Sequence, residues 1–215
     1  MKKNYARIHG IENLHKIHFN GVGKYRMPQI LPQDFELPEK WVCFSRWRDA
    51  EDPEETGIHF YCDDYKFNAL WTHPERFVKM FQRFRCIAEP DFSVYGNMPP
   101  ALQIYNVYKN KALAAYYQYN GVNVVPAPIW GLKESYEWCF DGEPVYTPVM
   151  VSTVGLLISK EDREFFVDGY REMKIRMRPS KILIHGANVP EEIKDDDFTM
   201  VESYSKIKHT FYEDK

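Results

Sequence analysis

Short apolar runs punctuate the chain at regular intervals. "KWVCFS" (40–45), "IHFYC" (58–62), "RCIAE" (85–89), "VNVVP" (122–126), "PVMVS" (148–152) and "KILIH" (181–185) are rich in β-branched or aromatic residues. Each ends at a polar, Gly or Pro residue, which is how strands read. "FTMVESY" (198–204) is a candidate seventh. Helical periodicity separates several of them. Residues 73–84 place Phe77, Met80, Phe81 and Phe84 at i, i+3, i+4, i+7, with Pro74 suited to a first turn. Residues 99–120 form the longest helical pattern, entered through Pro99 and Pro100 and closed by Asn120–Gly121, a glycine C-cap. Residues 161–177 carry acids in the first turn and bases in the last, and Pro179 stops them.

Strands alternating with helices pair in parallel through crossovers. The fold class is therefore α/β. It is a mostly parallel sheet of six or seven strands with crossover helices, either open and doubly wound or a distorted barrel. Residues 1–40 are turn-rich, with three prolines in "MPQILPQDFELPEK". They read as an extended N-terminal arm packed on a single α/β domain spanning 41–215.

Composition narrows the classes. Aromatics make up 16% of the 215 residues, so the chain can bury a substantial core. The net charge of −3 gives no general attraction to nucleic acid. No apolar run approaches the roughly 20 residues that span a bilayer, and no signal peptide is apparent, so a cytoplasmic place in whatever cell holds the protein is expected, without membrane partners. Cys43, Cys62, Cys86 and Cys139 form no C-x-x-C pair and read as buried free thiols. Oligomeric state is not legible.

In α/β proteins ligands gather at the carboxyl ends of parallel strands. Following each run to its end gives Asp63 and Asp64, then Asp91 and Ser93, Trp130, Ser152 and Thr153, and His185. Each has a plainer alternative. An Asp of the 63–64 pair would cap a helical turn, Asp91 would fix a turn, Ser152 and Thr153 would bond backbone, and His185 would be an ordinary turn histidine. Gln103, Asn106 and Asn110 recur along the long helix with Lys109 beside them, either as a ligand face or as a solvated face opposite Leu102, Tyr105, Ala112 and Tyr116. Glycine-rich phosphate loops, H-E-x-x-H and G-x-S-x-G are absent.

The stretches "GIHFYCDDYKFNALWTHPERF", "PDFSVYGNMPPALQIYNVYKNKALAAYYQYNGVNVVPAPIWG", "SYEWCFDGEP", "VSTVG" and "PSKILIHG" together resemble the domain of unknown function 4417 family, found mainly in bacteria, phages and mobile genetic elements. The resemblance spans roughly residues 57 to 193. The family's patterns D-D-Y-x-F, P-D-F-S-x-Y, Q-x-x-N-x-Y-R, V-x-P-x-x-x-W and S-T-x-G fall here on Asp63, Asp64, Tyr65 and Phe67; on Asp91, Phe92, Ser93 and Tyr95; on Gln103, Asn106 and Tyr108; on Pro126 and Trp130; and on Ser152, Thr153 and Gly155. Lys109 stands where the pattern has Arg, which keeps a charge and loses a planar fork. The resemblance implies no activity. It implies that the strand-end residues belong to one recurrent constellation.

Two functions are open. In the first, Asp63, Asp64 and Asp91 are the catalytic acids of a metal-assisted hydrolysis or transfer on a nucleotide-like small molecule. Mg²⁺ would be held by Asp64 and Asp91 if by anything. Tyr65, Ser93, Gln103, Asn106, Lys109, Trp130, Ser152, Thr153 and His185 would contact the ligand. In the second, the same rim sequesters a ligand or binds a partner without catalysis.

Overall fold

A computed structural model describes residues 5–16 and 21–201. Seven strands are present: β1 (Lys40–Cys43), β2 (Thr56–His59), β3 (Cys86–Ala88), β4 (Val124–Val125), β5 (Pro148–Ser152), β6 (Lys181–His185) and β7 (Thr199–Val201). Residues 202–204 of the candidate seventh run lie outside the described residues. Every pairing is parallel, and the orders are β1-β2-β3-β4 and β5-β6-β7. The protein is α/β, as its run pattern implies.

Among the described residues, the single sheet expected from sequence is instead two ladders, of four and three strands, and no closed barrel forms. Proline accounts for the division. β4 has two residues and runs into Pro126 and Pro128, while β5 begins on Pro148. A residue without an N–H cannot donate to a ladder. One bond bridges the break, from Met150 N–H to the Pro126 carbonyl at 2.9 Å.

The strands alternate their side chains between two environments, as the pleat requires. One set faces the helices. Ile58, Ile87 and Val124 pack with Leu113, Ala114 and Tyr117, whereas Val149, Val151, Ile182 and Ile184 pack with Phe166, Tyr170 and Met173. The opposite faces of the two sheets share one cluster: Cys86, Ala88, Val125 and Ala127 meet Met150, Leu183 and Val201. His59 of β2 and His185 of β6 bring their ring centroids to 4.4 Å. The two sheets therefore meet across this shared cluster.

The described residues include the short helices α1 (Tyr5–Ile8), α2 (Ala69–Thr72) and α3 (Val78–Phe81) and two long ones that carry the crossovers beside the site. α4 (Pro100–Tyr119) starts with proline in its first turn and ends at Asn120, before Gly121 at φ +75°. α5 (Lys160–Met177) opens on a reciprocal capping box between Ser159 and Asp162. The pattern over 73–84 is less continuous than its periodicity suggests. A 3₁₀ segment, Pro74–Phe77, precedes a four-residue helix, Val78–Phe81. Phe81 and Phe84 still reach the core, where rings of Phe44, Phe77 and Phe81 meet. Tertiary packing of large rings here outweighs local helix continuity. The segment before β1 inserts Met27 and Ile30 into the body, and Ile30 N–H donates to the Gly142 carbonyl at 2.9 Å.

Candidate functional site at the strand carboxyl ends

The site rests on the loop that leaves β3, residues 89–98. Three amides of α4 hold its backbone. Asn110 Oδ1 accepts from Phe92 N–H at 2.8 Å while its Nδ2 donates to the Phe92 carbonyl at 3.2 Å. Asn106 donates to the Ser93 carbonyl at 2.6 Å, and Gln103 to the Met98 carbonyl at 2.8 Å. Lys109 lays its ammonium 3.7 Å over the Phe92 ring. These four residues shape the loop and do not line the cavity. The apolar face assigned to this helix from sequence is also displaced, since Gln103 and Asn110 are buried and Leu102 is 49% exposed.

The clamped loop is tied in turn to the segment after β2. Asp64 accepts from Ser93 N–H at 3.2 Å on both oxygens, and from Ser93 Oγ at 2.8 Å. The 3₁₀ turn Asp64–Lys66 follows Asp63, which makes no side-chain cap bond. Asp63 instead pairs with Lys66 at 2.8 Å, and that hydrogen-bonded ammonium holds its carboxyl below the usual range. Capping thus explains neither acid. Removing the Asp64 acceptor leaves two donors unpaired, so Asp64→Ala should cost about 1–3 kcal/mol, and Asp64→Asn, which keeps one acceptor oxygen, should recover about half. Urea unfolding of the two variants checks this; an Ala variant as stable as the parent would exclude the anchoring role.

Between these segments opens a cavity of about 300 Å³. Its polar lining includes Tyr61, Asp63, Asp91, Ser93 and Ser152, and Cys62 lies on the same wall. Val94, Ile129, Trp130, Val151, Leu156 and Phe165 supply apolar walls. Trp130 is pressed against α5 at Gly169, where a Cβ would collide with the indole. No lysine or arginine lines the cavity among the described residues.

Asp91 and Tyr61 are left without partners. The Asp91 carboxyl makes no hydrogen bond among the described residues. It keeps a partly exposed edge toward the cavity, yet burial by the enclosing walls, with the Asp64 charge added, pushes it up to about 7. The Tyr61 hydroxyl is buried and unpaired. Burial, then the Asp91 charge, raise its pKa well above the usual phenol value. Beneath it three rings cluster: Tyr61 stacks on His185 at 4.9 Å and on His59 at 5.6 Å, and the two imidazoles meet at a tilt at 4.4 Å. Burial lowers His185 to about 4; burial, with the His185 charge, lowers His59 to about 3. Both imidazoles are neutral near pH 7. Ser152 Oγ sits 3.1 Å from His185 Nδ1, which joins the rim to this inner stack.

The sequence-derived candidates therefore separate. Asp63, Asp91, Ser93, Trp130 and Ser152 line the cavity, and Asp64 lies behind Ser93. His185 sits one layer below, and Thr153 donates to the Asn188 carbonyl at 2.8 Å. Tyr65 is 72% exposed and does not line the cavity. Among the described residues, no three His, Cys, Asp or Glu side chains gather to hold a metal. Tyr61, Cys62 and His59 escaped the strand-end reading because β2 stops at His59, four residues before the first acid. Alternation through "HFY" was the available signal, since it sends His59 and Tyr61 to one face.

A parallel α/β scaffold with an acid-bearing cavity at its strand ends is the class these observations define. The chain belongs to the family described as domain of unknown function DUF4417, whose model matches residues 19–205. It is similar to the Gene 1 protein of Mycobacterium phage L5, at 35% identity over 170 residues, covering 78% of this chain and 74% of that protein. The Gene 1 protein of Mycobacterium phage D29 is 32% identical over 170 residues, covering 78% of this chain and 63% of that one. No solved structure matches the chain significantly. No described helix is long and apolar enough to cross a membrane.

Proposed function

We propose that the two sheets wrap into an open, distorted barrel whose carboxyl-terminal mouth binds a compact, planar small molecule bearing N–H or O–H donors. The observation that carries this reading is the buried, unpaired Tyr61 hydroxyl on the same cavity as the Asp91 carboxyl, which makes no hydrogen bond among the described residues. Buried polar groups in native proteins are nearly always satisfied, so an orphan pair facing a cavity points to a ligand that satisfies it. The apolar walls suit a ring. A lining that carries acids and, among the described residues, no lysine or arginine disfavours a bare phosphate in the cavity and favours a neutral or cationic heterocycle of nucleobase or nucleoside size.

A second reading, proton-transfer catalysis on the same ligand, is supported by Asp91 alone. A carboxyl near 7 holds and releases a proton at neutral pH, as a general acid–base must. Native mass spectrometry of the purified chain, followed by calorimetry against nucleobases and nucleosides with and without Mg²⁺, tests both. Asp91→Asn and Tyr61→Phe should each weaken binding by about 10–100-fold while leaving the fold intact. Unchanged affinity in both variants, or no bound molecule at all, would remove the site. Turnover of a bound compound, lost in Asp91→Asn with binding retained, would select the catalytic reading.

A further inference from the structure

β5 and β6 run side by side in parallel and end in register, with Ser152 opposite His185. In-register residues on neighbouring strands share a face of the sheet. Here the two side chains join, with Ser152 Oγ 3.1 Å from His185 Nδ1. Val154 N–H donates to the same Oγ at 3.2 Å. The hydroxyl therefore already accepts one bond, and its own hydrogen is left for the imidazole. Gly186 lets the strand ends approach this closely, because a Cβ there would collide with Thr153 Oγ1. Two rings hold the imidazole in place, Tyr61 at 4.9 Å and His59 at 4.4 Å between centroids. Ser152 lines the cavity, whereas His185 is buried. A serine on the cavity wall thus has a fixed base behind it.

We propose that Ser152 and His185 form a nucleophilic dyad that cleaves a carboxylic ester carrying a compact, uncharged ring. This rests on the reading of the cavity as a ligand site and adds to it a reaction and a nucleophile. Ser152 Oγ attacks the ester carbonyl carbon while His185 Nδ1 takes the hydroxyl proton. The carbonyl oxygen receives the displaced electron pair. The bond from that carbon to the alcohol oxygen then breaks, and His185 returns its proton to the departing alcohol. Water repeats both steps on the acyl-serine, which releases the acid and restores Ser152, so atoms, electrons and protons balance. The surroundings suit these roles. Burial keeps His185 neutral at pH 7, the form that takes up a proton. Tyr61 keeps its proton, and its buried, unpaired hydroxyl is the donor available to the oxyanion. Val94, Ile129, Trp130 and Phe165 supply apolar walls for the ring.

Two probes test the dyad on the full chain: diisopropyl fluorophosphate, which traps activated serines, and p-nitrophenyl acetate, a small ester with an uncharged ring. Incubation at pH 8 and peptide mapping should place a diisopropylphosphoryl group on Ser152, and none there when the chain is first unfolded in urea. The ester should acetylate the same serine and release p-nitrophenolate. His185→Gln, which keeps a hydrogen-bonding side chain, should slow both reactions by about 100-fold or more. Ser152→Ala should remove the adduct from that peptide. Calorimetry with nucleobases on the same preparation separates this proposal from the reading it rests on. Ligand binding without a Ser152 adduct overturns the dyad and leaves the cavity as a binding site, whereas neither binding nor adduct removes both. An adduct that forms equally fast in His185→Gln, or in the unfolded chain, also overturns the dyad. The parent peptide map decides even if a variant fails to fold.

Discussion

Asp91→Asn should make the protein more stable at pH 8 and leave its stability unchanged at pH 4. The folded-state pKa of Asp91 rises from the ordinary 3.8 to about 7. On raising the pH the unfolded chain therefore loses this proton first. The cost to the fold is absent below about pH 4, grows between about 4 and 7, and is constant above. Each pH unit in that window is worth about 1.4 kcal/mol, which sets a ceiling near 4 kcal/mol. Solvent entering through the cavity mouth screens part of it, leaving about 2–3 kcal/mol at pH 8, or about 4–12 °C in Tm. Asn keeps the shape and removes the titration. His59 and His185 pull the other way below pH 6.5, since their folded pKa values are depressed and the unfolded chain takes up protons there. Comparing parent and variant at each pH cancels that contribution. Denaturant unfolding at pH 4, 6 and 8 reads the effect, and an equal or less stable variant at pH 8 would show that Asp91 is not an enclosed, unpaired carboxyl.

Strand positions were legible because a strand buried on both faces is a nearly continuous apolar run, and the six clear runs each contain or overlap one of the strands β1 to β6. The reading failed where long-range packing decides. The chain order of strands was visible, yet nothing local shows that Pro126, Pro128 and Pro148 fall where they interrupt a ladder between β4 and β5. Asp64 and Asp91 were singled out together, and their roles diverge for a reason that only the fold supplies. Ser93, 29 residues from Asp64 along the chain, turns both its N–H and its hydroxyl onto that acid and none onto Asp91. The amides of α4 read as either a ligand face or a solvated one. In the structure they clamp a loop that approaches the helix only after folding, and they do not line the cavity. Tyr61 and Cys62 sit inside an apolar run, where a phenol and a thiol look like core residues.

Lys111→Met should be the most damaging single substitution outside the cavity. Lys111 lies on α4 with its side chain 1% exposed, in contact with the Glu143 carboxylate, whose side chain is 0% exposed. Glu89, at the end of β3, is the third member, and one of its oxygens accepts from Ala127 N–H at 3.1 Å. Burial, reinforced by the Glu143 charge, raises Glu89 well above the usual carboxylate range. Glu89 is therefore protonated at neutral pH, while the second Glu143 oxygen is buried without a hydrogen-bond partner. Burial pulls the Lys111 ammonium down, the two carboxyls push it up, and the carboxyls prevail, so it stays charged. One cation and one anion remain, in a site closed by Gly142 and Pro28. Removing one partner of such a pair strands the other charge, at a cost of about 3–5 kcal/mol. For a chain of this size that lowers Tm by about 6–20 °C. Sequence gives no hint of this, because a lysine in a helix is almost always solvated. A second substitution separates stranded charge from lost packing. Lys111→Met with Glu143→Gln carries no buried anion and should regain most of the loss, whereas a packing defect would persist. A Lys111→Met protein within 1 kcal/mol of the parent, measured by urea unfolding at pH 8, would show that the cluster does not hold α4 against β3 by charge.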